Sequence, residues 1–499
     1  MGLTFAAKPF GFVVQLLIAS SFGAKAPTDA YFIGFFLATF LSNIGVQVFT
    51  TLVVPLYFDH SKQADECSTI GFLNAVLVAF TAPLVLFALV LLAFPRLAIA
   101  VAAPGFRGET LALAEGMTRL MAIGAILTGI SGYLSALLNV RRLFWLPGVI
   151  PTIQSLITIG GILALRNSIG AYSLAACFLA GTAVSVLIQS ALALRLGVLR
   201  SIAPAWKDPF FARLLALSGP VLMSALIVQA LFMVDKMMAS GLPEGSVSAL
   251  SYASTVNFLA LQLFAGTFVT VLFTDLASLI SAKDMQGFRD AFQRDTRYLL
   301  AMIMPFAAMA VVRSEEIVGI LYGRGKFDET AMRVTARALV MFSVGLPMLG
   351  MNMLLARVFH SLKEMSARMA IDLVWLGSNV VANLLLVRSM GVAGLALGTS
   401  IASATNILLA VAYLKKKHGG IGEGAVARAF LESAVAGVAM AAVVAAIPAD
   451  WLVDWSAPRL HRALALCAVG AAGLVVYGAT LVALRRFRFR PAGPARGSA

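Results

Sequence analysis

The chain has 499 residues, 60% hydrophobic and 12% charged, with a formal net charge of +15. A soluble domain carries about 25% charged residues; at half that density the surface cannot be covered in water, so lipid must be the solvent around most of the molecule. The positive balance reads as Lys and Arg gathered in cytoplasmic loops rather than as a nucleic-acid surface, and no polar stretch is long enough for a separate soluble domain.

A spanning helix needs about 20 mostly apolar residues. Such runs predict spans, in chain order, over 3–22, 30–57, 69–93, 112–140, 144–165, 168–194, 215–239, 246–274, 297–312, 331–356, 367–387, 390–414, 425–447 and 463–484. The first lacks a basic leader and a small-residue cleavage site, so it reads as a span and not a signal peptide. An even number of spans puts both termini on one side. With the amino terminus inside, the inner loops and tail hold roughly twice the Lys and Arg of the outer loops. The dense inner clusters are Arg141 and Arg142, 195–213, 283–297, 357–368, 415–417 and the tail from Arg485.

Two segments about 220 residues apart resemble one another. PRLAIAVAAPGF begins at Pro95 and continues through Glu109 and Thr110 to Arg166; EEIVGILYGRGKF begins at Glu315 and continues through Glu329 and Thr330 to Arg388. Each has a short amphipathic stretch, a Gly turn ending in Phe (Phe106, Phe327) and an ET dipeptide opening a long helix. Repeated halves are a mark of secondary transporters, with the substrate near the midplane between them. The expected fold is all-α: a polytopic membrane protein of about fourteen transmembrane helices. Two pseudo-repeated six-helix lobes (1–200 and 201–418) are followed by two additional helices (419–485) and a basic tail (486–499).

No P-loop, G-x-S-x-G or HExxH occurs, and histidines number four; the chain reads as a transporter without ATP chemistry, and not as an enzyme. Cys67, Cys177 and Cys467 lie far apart, without metal or disulfide spacing. The informative residues are polar groups at membrane depth, each costly unless satisfied or functional. Lys8 either snorkels to the interface or faces a cavity that receives an anionic head group. Asp29, at the start of the second span, is either a helix N-terminal cap or a cavity residue. Asp235 and Lys236 fall near the end of the seventh span, as a mutual pair or as cavity groups. Asn379 and Asn383, four apart, share one helical face, which Thr399 could meet. That set reads as interhelical hydrogen bonding or, completed by Asp235, as oxygen ligands for a hard cation such as sodium. Arg119 and Arg337 hold roughly equivalent repeat positions, and Gln15, Asn43 and Gln47 add polarity to the first two spans.

Several stretches together resemble the MurJ/MviN lipid-linked glycan flippases of the MOP exporter superfamily: FGFVVQLLIASSFGAKAPTDAYFIGF (10–35), APGF (103–106), LSALLNVRRLFWLP (134–147), DKMMASGLPEGSVSALSYA (235–253) and YGRGKFDETAMRVTARAL (322–339). The resemblance implies alternating access by two six-helix lobes around a hydrated cationic cavity, in a bacterial inner membrane with both termini cytoplasmic. It implies an undecaprenyl-diphosphate-linked glycan, lipid II in the type case, as substrate, with membrane lipids and cell-envelope synthesis proteins as partners. Lys8 matches the family's first arginine and Asp29 is retained, but other expected arginines fall at Val14, Ser42, Asn43 and Ser254. Lys for Arg keeps charge and loses the bidentate fork for phosphate. An exopolysaccharide or O-antigen unit is therefore the alternative cargo, and a cation-coupled drug antiporter a more distant one. No cofactor is implied beyond a coupling ion, sodium or proton. The family's sodium ligands match Asp235, Asn379 and Thr399, while a family Asp falls at Asn383.

Overall fold

The computed structural model describes residues 2–140, 146–197, 203–263, 284–448 and 459–487, with a few isolated positions between; side chains at 2–9 and at some helix ends lie outside that description. Every regular element among the described residues is a helix. In chain order they are α1 (Gly2–Phe22), α2 (Ala26–Val48), α3 (Val54–Gln63), α4 (Glu66–Ala93), α5 (Pro95–Ala102), α6 (Gly108–Val140), α7 (Leu146–Leu165), α8 (Tyr172–Arg195), α9 (Pro209–Ala239) and α10 (Ser246–Leu261). The rest are α11 (Met285–Val312), α12 (Ser314–Tyr322), α13 (Glu329–Ser361), α14 (Met365–Met390), α15 (Val392–His418), α16 (Glu423–Ala446) and α17 (Arg459–Phe487).

Twelve helices among the described residues are long and apolar enough to cross a membrane. Two shorter apolar helices, Phe10–Phe22 and Ser246–Leu261, stand where the first and eighth spans are expected. The predicted span 246–274 runs into residues 264–275, which lie outside the described set. The protein is a multi-pass membrane protein. Some boundaries move for local reasons. The second span continues through a π-helical turn, Phe49–Val53, into α3 and so reaches Gln63. The ninth begins at Met285 and not near 297, because Asp284 caps the helix by accepting the Gly287 amide at 2.8 Å. Its first three turns are amphipathic, with Phe288 and Phe292 buried among charged neighbours, so mean hydropathy alone passes over them.

The repeat recurs in element lengths. An 8-residue α5 precedes a 33-residue α6, and a 9-residue α12 precedes a 33-residue α13.

Packing divides the chain into two compact units, one of 1–252 with 324–331 and one of 253–323 with 332–499. In the first, Phe49, Val53, Leu56, Phe72, Leu73, Tyr133, Phe211 and Leu214 form one apolar core. In the second, Phe288, Phe292, Leu299, Leu354, Leu355, Phe359 and Leu414 form another. Helices in lipid gain little from the hydrophobic effect and associate through small residues that allow close approach. Gly45 is such a position: the Phe80 ring occupies the place of a Cβ, and a side chain there would require that ring to move.

Candidate functional site

The first amides of a helix have no partner within it, and α2 and α10 solve this for one another. Asp29, in the first turn of α2, accepts the Gly245 amide on Oδ2 and the Ser248 amide on Oδ1, each at 2.7 Å; the Ser248 hydroxyl adds a third bond. In return, Glu244 accepts the Ala26 amide at 2.8 Å. Each carboxylate thus sits at the positive end of the other's helix, where a negative charge is favoured. Tyr252, one turn further along α10, donates to the Gly23 carbonyl at 3.0 Å.

The two Gly-turn loops of the repeat meet the same neighbourhood. In the loop after α5, the Gly105 amide donates to the Ser240 hydroxyl at 3.0 Å, and a Cβ on Gly105 would lie 2.1 Å from the Ser240 carbonyl oxygen. In the loop after α12, the Lys326 amide donates to the Ser20 carbonyl at 2.9 Å. Gly325 there has φ +62° and would place a Cβ 2.0 Å from the same oxygen. Phe327 packs edge-on to Tyr252 with centroids 5.7 Å apart. Backbone therefore lies on backbone at both loops, with no room for a side chain.

Lys236 and Asp235 lie in the last turns of α9. The Lys236 ammonium donates to the Ser251 hydroxyl at 3.2 Å and lies 5.9 Å and 5.8 Å from the ring centres of Phe32 and Phe36. Asp235 and Asp29 are its nearby opposite charges. Lys236 thus meets two ring faces, a hydroxyl and two nearby carboxylates beside the α2–α10 junction.

The other predicted residues scatter. The Lys8 side chain lies outside the described residues. Gln15 on α1 keeps a buried amide oxygen without a protein partner. Asn43 and Arg119 are exposed on α2 and α6. Arg337 is exposed on α13, and Arg119 lies eleven residues past the start of its helix where Arg337 lies eight past its own. That is a difference of almost one turn in a 3.6-residue period.

Asn379, Asn383 and Thr399 do come together in the second unit. The Asn383 amide donates to the Asn379 carbonyl at 3.2 Å, and the Asn379 amide to the Thr399 hydroxyl at 3.4 Å. Gly398 lets α15 approach so closely that a Cβ would lie 2.0 Å from Asn383 Oδ1. The amide and hydroxyl oxygens of this set suit a hard cation; the cluster is neutral, and Asp235 belongs to the first unit.

Sequence reading passed over Glu244, Ser248, Ser240 and Lys326. Only the glycines beside them, Gly245 and Gly325, were a local signal; their partners lie far along the chain.

The fold agrees with three comparisons. The model of the family described as lipid II flippase MurJ matches residues 18–461. Among curated proteins, a probable lipid II flippase MurJ of Buchnera aphidicola is 26% identical over 82% of this chain and 81% of its own length. A protein of the same description from Rhizobium meliloti is 25% identical over 97% of this chain and 94% of its own. Among solved structures, a lipid II flippase MurJ in an inward closed conformation superposes with TM-score 0.80 at 22% identity, covering 97% of this chain and 98% of that one. An inward-facing multidrug resistance MATE transporter of the MOP superfamily superposes at 0.65 with 15% identity, covering 81% and 95%.

Proposed function

This chain belongs to the lipid II flippase MurJ family, and from that premise we propose that it moves lipid II from the cytoplasmic to the periplasmic leaflet by alternating access. The observation that carries the mechanism is the reciprocal capping of α2 and α10 through Asp29 and Glu244. A closure made of hydrogen bonds to helix ends is reversible, because each freed amide and carboxylate is taken up by water when it opens. With both termini cytoplasmic, as the basic loops indicate, this closure lies at the periplasmic end.

A diphosphate and its sugars cannot cross hydrocarbon unaided, whereas the prenyl tail can stay in the bilayer. Lys236 supplies positive charge where the head group must pass. Lys8, Arg119 and Arg337 are further proposed cations for the head group, and Gln15 and Asn43 proposed contacts for the sugars. Membrane potential assists, at about 2.3 kcal/mol per charge per 100 mV. Asn379, Asn383 and Thr399 are the proposed ligands of a coupling sodium ion; a proton is the alternative.

Complementation of a strain depleted of its own lipid II flippase tests the cargo. Rescue of growth supports lipid II. Failure to rescue, together with loss of exopolysaccharide when the native gene is deleted, would move the assignment to another undecaprenyl-linked glycan.

A further inference from the structure

Helix α9 opens the second half of the sequence repeat, yet its first turns are built into the first unit. His60 ends α3 with both ring nitrogens engaged: Nε2 lies 2.9 Å from Asp208 Oδ2 and Nδ1 lies 3.0 Å from Thr69 Oγ1. The His60 and Asp208 side chains are 2% and 8% exposed. Asp208 simultaneously caps α9, its Oδ1 accepting the Phe210 amide at 2.8 Å. The His60 ring stacks on Phe72 and receives the edge of Phe210. A backbone bond from Ala205 N–H to the Gly71 carbonyl, 2.9 Å, lays the preceding segment on α4. Below it, Phe211 and Leu214 complete the first unit's apolar core.

We propose that Thr69, His60 and Asp208 form an anchor that fixes the first turn of α9 to the α3–α4 corner throughout the transport cycle, whichever protonation state the ring holds. The Thr69 hydroxyl makes this possible. As placed, it donates to the Asp65 carbonyl at 3.0 Å and so accepts from a protonated Nδ1. When the ring is neutral, the hydroxyl turns and donates to Nδ1, while Nε2–H stays on Asp208. Asp65 O loses nothing essential, since the Thr69 amide also reaches it at 3.1 Å. The other charged side chains of the surrounding elements, Asp59, Lys62, Asp65, Glu66, Lys207 and Arg213, are all exposed; Asp208 is the buried charge that faces the ring.

The consequence reaches the far end of the helix. Lys236 lies 28 residues beyond Asp208, about 42 Å along a helix. An anchor at the base fixes the register from which that ammonium is presented. His60 is therefore a positioning residue, acting on the cargo only through α9. Its use in transport rests on the flippase reading; the anchor itself does not.

The test is a spin-label distance between native Cys67, exposed on the first turn of α4, and Lys207→Cys. It uses full-length protein carrying Cys467→Ser, in liposomes with and without lipid II, at pH 6 and pH 8.5. Cys177 is buried and escapes labelling. One narrow distance under all four conditions is expected. Asp208→Ala should broaden it, while Asp208→Asn, whose oxygen still caps α9 and whose amide can donate to Nε2 of a ring protonated on Nδ1, should leave it narrow. A second population in the parent protein on adding lipid II or raising the pH would overturn the proposal. So would a narrow distance in Asp208→Ala, or an Asp208→Asn distance as broad as that of the alanine variant. Failed complementation with lipid II would remove the cargo assignment and leave these distances informative.

Discussion

Asp29 and Ser248, 219 residues apart, are joined by two hydrogen bonds, from the Ser248 amide and from its hydroxyl, to the same carboxylate oxygen. The pair ties the start of α2 to the start of α10, and with Glu244 on Ala26 it makes a junction in which neither helix can leave without exposing its own amides. Asp29→Ala should orphan the Gly245 and Ser248 amides, at about 1–3 kcal/mol for each group left buried and unpaired. Asp29→Asn keeps one acceptor oxygen and should fall between. Thermal unfolding in detergent, alongside growth of a flippase-depleted strain, would rank parent, Asn and Ala in that order. An alanine variant as stable and as active as the parent would show that the junction carries no weight.

The glycines of the same region separate steric from conformational cost. Gly245, at φ +88°, would put a Cβ 2.2 Å from the Ala24 carbonyl oxygen, and Gly325, at φ +62°, 2.0 Å from that of Ser20. Gly108, at φ +53°, has nothing within 4 Å. Alanine at Gly108 should cost only the left-handed backbone penalty, about 1 kcal/mol. Alanine at Gly245 or Gly325 adds a backbone collision and should hold this end open. Cysteine accessibility at Ser240 would rise in the latter two and not in the first; equal accessibility in all three would contradict the close approach.

The helices were legible in the sequence because a run of about 20 apolar residues states its own environment, and the two Gly-turn loops because a repeat makes them visible twice. The contacts were not. Asp29 read equally well as a cap of its own helix or as a cavity residue, and it caps a helix that begins more than 200 residues later. His60 and Asp208 stand 148 apart with no pattern linking them. The Asn379–Asn383 pair was readable because both partners lie on one helix four residues apart, and Thr399 follows on the next. Long-range polar pairing leaves no period in the sequence, and here it forms most of the site.

Arg313 is a buried charge of the second unit whose removal should be costly to stability. It pairs with Glu316 at 2.8 Å, and donates to the Val444 and Ile447 carbonyls at the end of α16. Arg313→Ala leaves Glu316 and those carbonyls unpaired, a break that costs about 3–5 kcal/mol in buried pairs. Lysine, with no fork to bridge both carbonyls and carboxylate, should recover little of it. Unfolding midpoints of the three proteins give the comparison, and a lysine variant at the parent's midpoint would refute the bridging role.

Glu364, in the turn between α13 and α14, is held below the ordinary carboxylate range by its hydrogen bond from Lys417, with Tyr413 adding a second. A carboxyl whose folded value is depressed stabilises the fold above its unfolded value, and that stabilisation is lost as pH falls through the folded value. The protein should therefore lose a small increment of stability on acidification below the ordinary carboxylate range, and Glu364→Gln should remove that part of the pH dependence. The increment is small because Lys417 is half exposed to solvent. Unfolding curves across pH 3 to 7 that superpose for the two proteins after a constant offset would count against it.

Lys236 presenting charge to a lipid-linked diphosphate as it crosses the bilayer is the proposed step of transport. The most direct measurement is reconstitution into liposomes with fluorescent lipid II, counting the fraction reached by an impermeant quencher over time. The expected result is protein-dependent exchange between leaflets that Lys236→Met, which leaves the Phe32 and Phe36 contacts to a side chain of similar length, slows at least tenfold. Exchange no faster than in protein-free liposomes would contradict the cargo, and exchange unchanged in Lys236→Met would contradict the role of that charge.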